Sequence, residues 1–182
     1  MKIEDISINR LKNESCPEDV TFLIENCMDL LTEMEIEING DETWEPWNDK
    51  SYLTKEDLAD PDISANIQAI DDTFSLISFI AEFPDGEYVG YWRGIENSNI
   101  EDCPLVHYSN DGQFSLCGPR FIESIFVNLY DDEGLDEIRR LAKEKGIELN
   151  FKSIDDIKDK ETKIEPDDYH QKKYYEYKNL AK

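Results

Sequence analysis

Residues 74–93 read FSLISFIAEFPDGEYVGYWR, and this stretch decides the fold. Residues 74–83 are rich in β-branched and aromatic side chains, which predicts a buried strand. Pro84-Asp85-Gly86-Glu87 is turn chemistry: a ring that presets φ, a short carboxylate acceptor, then a residue free to take positive φ. Beyond the turn, residues 88–93 alternate. Val89, Tyr91 and Arg93 fall on one face, Tyr88, Gly90 and Trp92 on the other. Two strands and a tight turn make a hairpin. Gly90 and Gly94 bracket Trp92, so backbone or a ring can approach closely there.

Working outward toward the C-terminus, residues 95–102 are a polar connection. Residues 105–108 and 113–117 are short strands around Ser109-Asn110-Asp111-Gly112, a second hairpin signal. Gly118-Pro119 opens a helix whose apolar stripe is Phe121, Ile122, Ile125, Phe126 and Leu129. Residues 134–145 form another, with Leu135, Ile138, Leu141 and Ala142 inward and Gly146 as its cap. Residues 147–151 are expected to add an edge strand. The Tyr-rich, highly charged residues 152–182 read as a helical extension to a single domain spanning residues 1–151.

Toward the N-terminus, residues 62–70 are a short helix with Ile63, Ile67 and Ile70 on one side, and Thr54-x-x-Asp57 marks a helical turn. Ser15-x-x-Glu18 has the form of a capping box. The helix it would open carries Val20, Leu23, Ile24, Cys27, Leu30, Leu31 and Met34 at three- and four-residue steps. Residues 35–40 are a brief strand or an unwinding helix end. Ile3, Ile6 and Ile8 alternate, which suits a short edge strand or a loose arm. The whole predicts an α+β fold: a mostly antiparallel sheet of four to six strands with helices packed mainly on one face.

The chain has 182 residues and a net charge of −24, from 43 acidic and 19 basic side chains. The charge is unevenly placed. Between Lys12 and Lys50 lie twelve acids and no base. After residue 130, fifteen acids face twelve bases, so the first 130 residues carry −21. Such a field repels nucleic acid and anionic membranes, attracts a basic partner, and also keeps a protein soluble. The charged opening residues are not those of a secretory signal, and no apolar run approaches a membrane span. The expected location is the cytoplasm.

Chemistry-bearing motifs are sparse. No phosphate loop, nucleophile elbow or zinc-binding helix motif occurs. Cys16, Cys27, Cys103 and Cys117 form no C-x-x-C pair and read as small buried hydrophobes; Cys103-x3-His107 with Cys117 fits no common zinc spacing. His107 reads as a hydrogen-bonded strand residue. The abundant acid pairs are individually uninformative. Trp44 and Trp47, flanking Pro46 among acids, either fold back on the core or anchor an interface. Arg93, isolated in an acidic region, is either a strand-clipping ion pair or an interface anchor.

The hairpin ending in Gly90-Tyr91-Trp92-Arg93-Gly94, the Pro104-Leu105-Val106 strand, the Asp111-Gly112-Gln113-Phe114 turn and the following Phe121–Phe126 segment together resemble the core of the SUKH superfamily. These are α+β proteins related to fungal cell-wall-synthesis regulators and widespread as bacterial immunity proteins. The resemblance covers residues 60–130. It implies a binding domain with no catalytic residues, no metal and no cofactor, which neutralises a cognate polymorphic toxin, in many cases a nuclease, by direct binding. The acidic field agrees with a basic toxin domain as partner and speaks against nucleic acid or membrane. The expected contact surface comprises Glu33, Glu35, Glu37, Asp41, Glu42, Trp44, Glu45, Trp47, Asp49 and Arg93. The alternatives are a regulatory or scaffold module that binds an endogenous protein, and a carboxylate- or metal-dependent hydrolase using the acid-rich loops.

Overall fold

The computed structural model describes residues 2–129 and 132–180. Five strands, β1 (Glu37–Ile38), β2 (Ile77–Phe83), β3 (Glu87–Trp92), β4 (Leu105–Tyr108) and β5 (Phe114–Leu116), form one antiparallel sheet in sequence order. The fold is α+β. The central hairpin is as the sequence predicts: Phe83 pairs with Glu87 across the Pro84–Gly86 turn, and Ser78 pairs with Tyr91.

Between Phe79 and Ala81 the register slips, leaving Ile80 unopposed. This bulge puts Ile80 and Ala81 on the same side, and so sends Phe79 and Glu82 both to the other. Gly90 lets β3 lie close against β2. A Cβ there would sit 2.6 Å from the Phe79 Cα, so no side chain fits.

The larger set of helices covers the first face: α1 (Ile3–Asn9), α2 (Glu18–Asn26), α3 (Met28–Glu33), α6 (Phe121–Asn128) and α7 (Asp132–Glu144). Ile6, Val20, Leu23, Leu31, Ile122, Ile125 and Ile138 pack there on Ile38, Ile80, Ala81, Val89, Tyr91 and Leu105. The second face carries α5 (Pro61–Phe74) and α8 (Pro166–Leu180) together with the Trp44–Trp47 loop, and α4 (Lys55–Ala59) sits against α5. Residues 166–180 are therefore helical, and they lie on the sheet beside α5 and β5.

Several local expectations change. Ile3–Asn9 is a helix, not a strand or arm: Ile6 and Arg10, four residues apart, are buried while Ile8 is exposed, which is a helical spacing. The helix after residue 17 takes Pro17 as its N-cap, with no side-chain cap bond from Ser15, and it breaks at Cys27 into α2 and α3. Helix α5 runs on to Phe74, because Ala65, Ala69 and Thr73 bury at four-residue steps, and β2 starts only at Ile77. Asp60 caps this helix by accepting the Asp62 and Ile63 amides, with Pro61 in the first turn. The turn at Thr54 does form a reciprocal capping box with Asp57. Residues 147–151 form no strand. Ile147 and Phe151 bury as a four-residue pair, and Phe151 packs on Phe126 at a ring distance of 5.0 Å.

Candidate functional site

The loop between β1 and α4 gathers most of the expected contact residues on one open surface. Its floor is aromatic. Trp47 lies on Phe79 of β2 with ring centroids 4.4 Å apart, and Trp44 meets Trp47 edge-on at 5.0 Å. Tyr88 of β3 closes the cluster, 5.7 Å from Trp47 and 6.3 Å from Trp44. Both tryptophans remain half-buried, so each presents one edge to the core and another to solvent.

A buried cation holds this loop down. Arg10, at the end of α1, is 8% exposed. Its guanidinium donates to the Asp41 carbonyl and lies over both indoles, 5.3 Å from the Trp44 ring and 6.0 Å from Trp47. Burial pulls its pKa down, against the opposing pull of Glu45 and Asp41. Arg10, Tyr88 and Glu82 were not among the residues expected here. The signal for Arg10 was its rarity, one of only four bases in the first fifty residues.

The expected carboxylates are exposed: Glu33 and Glu35 ahead of β1, Glu37 on β1, then Asp41, Glu42, Glu45 and Asp49 in the tryptophan loop. Asp41 is held ionised by the Thr43 amide and hydroxyl, each donating at 2.7 Å, and Asp49 by the Ser51 amide at 2.8 Å. Glu37 sits directly opposite Glu82 on the neighbouring strand. Like charges so placed repel, and burial together with Glu37 pushes the Glu82 carboxyl up. An open groove of about 540 Å³ runs between α1 and β1, walled by Asp5, Glu37, Asp41 and Glu42.

Arg93 is not part of this surface. It is 3% exposed and points to the first face. Its guanidinium donates to Glu14 at 2.6 Å, to the Ser78 hydroxyl at 2.8 Å, and to the Leu11 and Ser98 carbonyls at 3.1 Å. With those donors engaged, it ties β2, β3 and the end of α1 together and offers a partner nothing. The clipping ion pair is the correct one of its two sequence readings.

The thiols also lie inward. Cys27, Cys103 and Cys117 are buried, and burial pushes Cys27 and Cys103 up to about 11. His107 is a strand residue bonded to Glu87 at 2.8 Å. Among the described residues, no three His, Cys, Asp or Glu side chains group so as to hold a metal ion, and no helix is long and apolar enough to cross a membrane. Compared with family models, curated proteins and solved structures, the chain matches none.

Proposed function

We propose that this chain is a non-enzymatic protein-binding domain of the SUKH type, an immunity protein that neutralises a basic bacterial toxin domain by docking on it. The observation that carries the reading is the Trp44–Trp47 pair, braced by Arg10 and ringed by Glu37, Glu42, Glu45 and Asp49. Half-buried tryptophans on a rigid floor suit interface anchors, because little side-chain entropy is lost when they are covered. The surrounding carboxylates suit a basic partner: they speed its encounter, and the Glu37–Glu82 repulsion is relieved when a cation arrives. Bound there, the chain would cover the toxin's active or substrate-binding face and exclude substrate. The resemblance of residues 60–130 to SUKH immunity proteins supports the same reading, and the site of action would be the cytoplasm.

Co-expression with a toxin encoded beside it tests the proposal: the chain should rescue growth and form a complex that tightens at low salt. The triple reversal Glu42→Lys, Glu45→Lys, Asp49→Lys should slow association by about tenfold or more at low ionic strength while leaving dissociation nearly unchanged. Trp47→Ala should instead speed dissociation. Failure to rescue against any adjacent toxin overturns the function, and equal on-rates for reversal mutant and wild type overturn the surface.

A further inference from the structure

A cleft of about 580 Å³ opens between the end of α1, the tryptophan loop and the junction of α5 with β2. Small-molecule sites measure about 300–1,000 Å³ and combine apolar walls with a few convergent polar groups. Here Trp47, Phe74 and Phe79 form the apolar wall. The charged lining is Arg10, Lys12 and Lys50 against Glu45 and Asp71, three bases to two acids in a chain of net charge −24. Three of the four bases in the first fifty residues thus meet at one place.

Arg10 is a buried cation without a counter-ion. It is 8% exposed, and among the described residues no carboxylate forms an ion pair with it; Nη2 is spent on the neutral Asp41 carbonyl. Nε is sealed in with no partner, whereas Nη1, equally unbonded, is not sealed off. Arg93, the other buried arginine, has Glu14 at 2.6 Å. An unpaired buried charge is costly, and the two indoles offset only part of that cost.

The remaining charges leave the cleft cationic. Lys12 is exposed and donates to the neutral Asn97 amide oxygen at 3.0 Å, so its charge is uncompensated too. Lys50 and Asp71 neutralise each other at 2.6 Å. Glu45 is the one acid of the lining outside an ion pair; it acts on Arg10 only through space, and one of its oxygens accepts from the Asn48 amide at 2.9 Å. Two uncompensated bases therefore face one uncompensated acid, which favours an anion.

We propose that this cleft binds a small aromatic carboxylate, whose oxygens take hydrogen bonds from Arg10 Nη1 and the Lys12 ammonium while its ring lies against Trp47 and Phe74. The carboxylate gives Arg10 the counter-ion that the fold withholds. The cleft shares Trp47 with the docking surface but does not depend on a toxin.

Titration of the full chain with benzoate at constant ionic strength, followed by amide chemical shifts and thermal melting, tests the site. Acetate, inorganic phosphate and benzylammonium chloride are the comparison probes. Benzoate should saturate, with the largest shifts in residues 9–12, 45–50 and 74–79. Acetate should bind about tenfold more weakly, because it has no ring to cover. Benzylammonium, with the same ring and the opposite charge, should not saturate. Lys12→Met should weaken benzoate about tenfold, the worth of one charge-assisted hydrogen bond. Glu45→Gln should tighten it about threefold by removing the acid nearest in effect to Arg10. Both positions are exposed, so neither variant puts the fold at risk. Arg10→Met should abolish binding. No saturable response to benzoate, saturation by benzylammonium, tighter binding of phosphate than of benzoate, or an undiminished response in Lys12→Met overturns the site.

Discussion

The two faces of the sheet are closed by different chemistry. The first is mostly aliphatic: Ile, Leu and Val from α1, α2, α3, α6 and α7 interlock with Ile80, Val89 and Leu105. The second is aromatic. Phe74, Phe79, Trp92 and Phe114 meet Trp44, Trp47, Tyr88, Tyr108 and Tyr169 in a chain of edge-on and tilted rings. Aliphatic surface needs only to be covered. Rings with polar tips and partly exposed edges bring hydrogen-bond requirements with them, and here the covering segments meet them: the Trp92 indole donates to the Ile164 carbonyl at 2.9 Å, and the Tyr177 hydroxyl to Asp72 at 2.7 Å. The face that leaves ring edges exposed is the one closed by these polar ties.

The first face has buried polar ties too, and breaking the one at Arg93 should have the largest effect. Arg93→Met leaves Glu14, Ser78 and the Leu11 carbonyl without their shared donor. Loss of one partner from a buried ion pair costs about 3–5 kcal/mol, and Glu14 is partly open to solvent, so the lower end, about 3 kcal/mol, is expected in urea unfolding. Arg93→Lys should recover less than half of it, because a single ammonium cannot span four acceptors. A loss below about 1 kcal/mol would mean that the aliphatic packing alone closes this face.

On the second face the corresponding cut is Trp92→Phe. It keeps most of the ring surface and removes the bond to Ile164, so about 1 kcal/mol is expected. Faster amide exchange should be confined to residues 164–180, while α2 and α6 stay protected. Uniformly faster exchange would show that the two faces unfold as one unit.

Legibility in the sequence follows the same division. The β2–β3 hairpin could be read because its information is local: alternation along residues 88–93, turn residues between the strands, and Gly90 where the backbones touch. The Thr54–Asp57 cap was local too. What escaped depends on distant partners. Nothing near residues 147–151 says that Ile147 and Phe151 bury against α6 and α7 in place of joining the sheet. Ile3, Ile6 and Ile8 fit a strand until Arg10 is seen to continue a helical face from Ile6. The acidic loop was visible as a run of charge with two tryptophans. Its brace was not, since Arg10 reaches Asp41, thirty-one positions away.

The smallest expected effect lies where α8 meets the sheet. His170 is half-buried, with Nε2 3.0 Å from the Asn66 amide oxygen and its ring 5.6 Å from Phe114. That oxygen only accepts, so Nε2 carries the hydrogen, and the neutral ring satisfies the contact. Burial lowers the His170 pKa, against a weaker opposing pull from Asp167. The unfolded chain then takes up a proton near the ordinary value of about 6.5 while the folded chain still resists it. Stability from this group is full above that value and falls as pH drops through it toward the lowered folded value. His170→Gln keeps a donor for Asn66 but does not titrate. The difference in melting temperature between wild type and His170→Gln should therefore shrink or reverse as pH falls from about 7.5 to 5.5, a window above the carboxylate range. Ionised groups such as Asp72 and Glu14 are then unchanged and cancel in the comparison. A difference that stays constant across the window would place His170 in a solvated pocket that contributes nothing to the hold on α8.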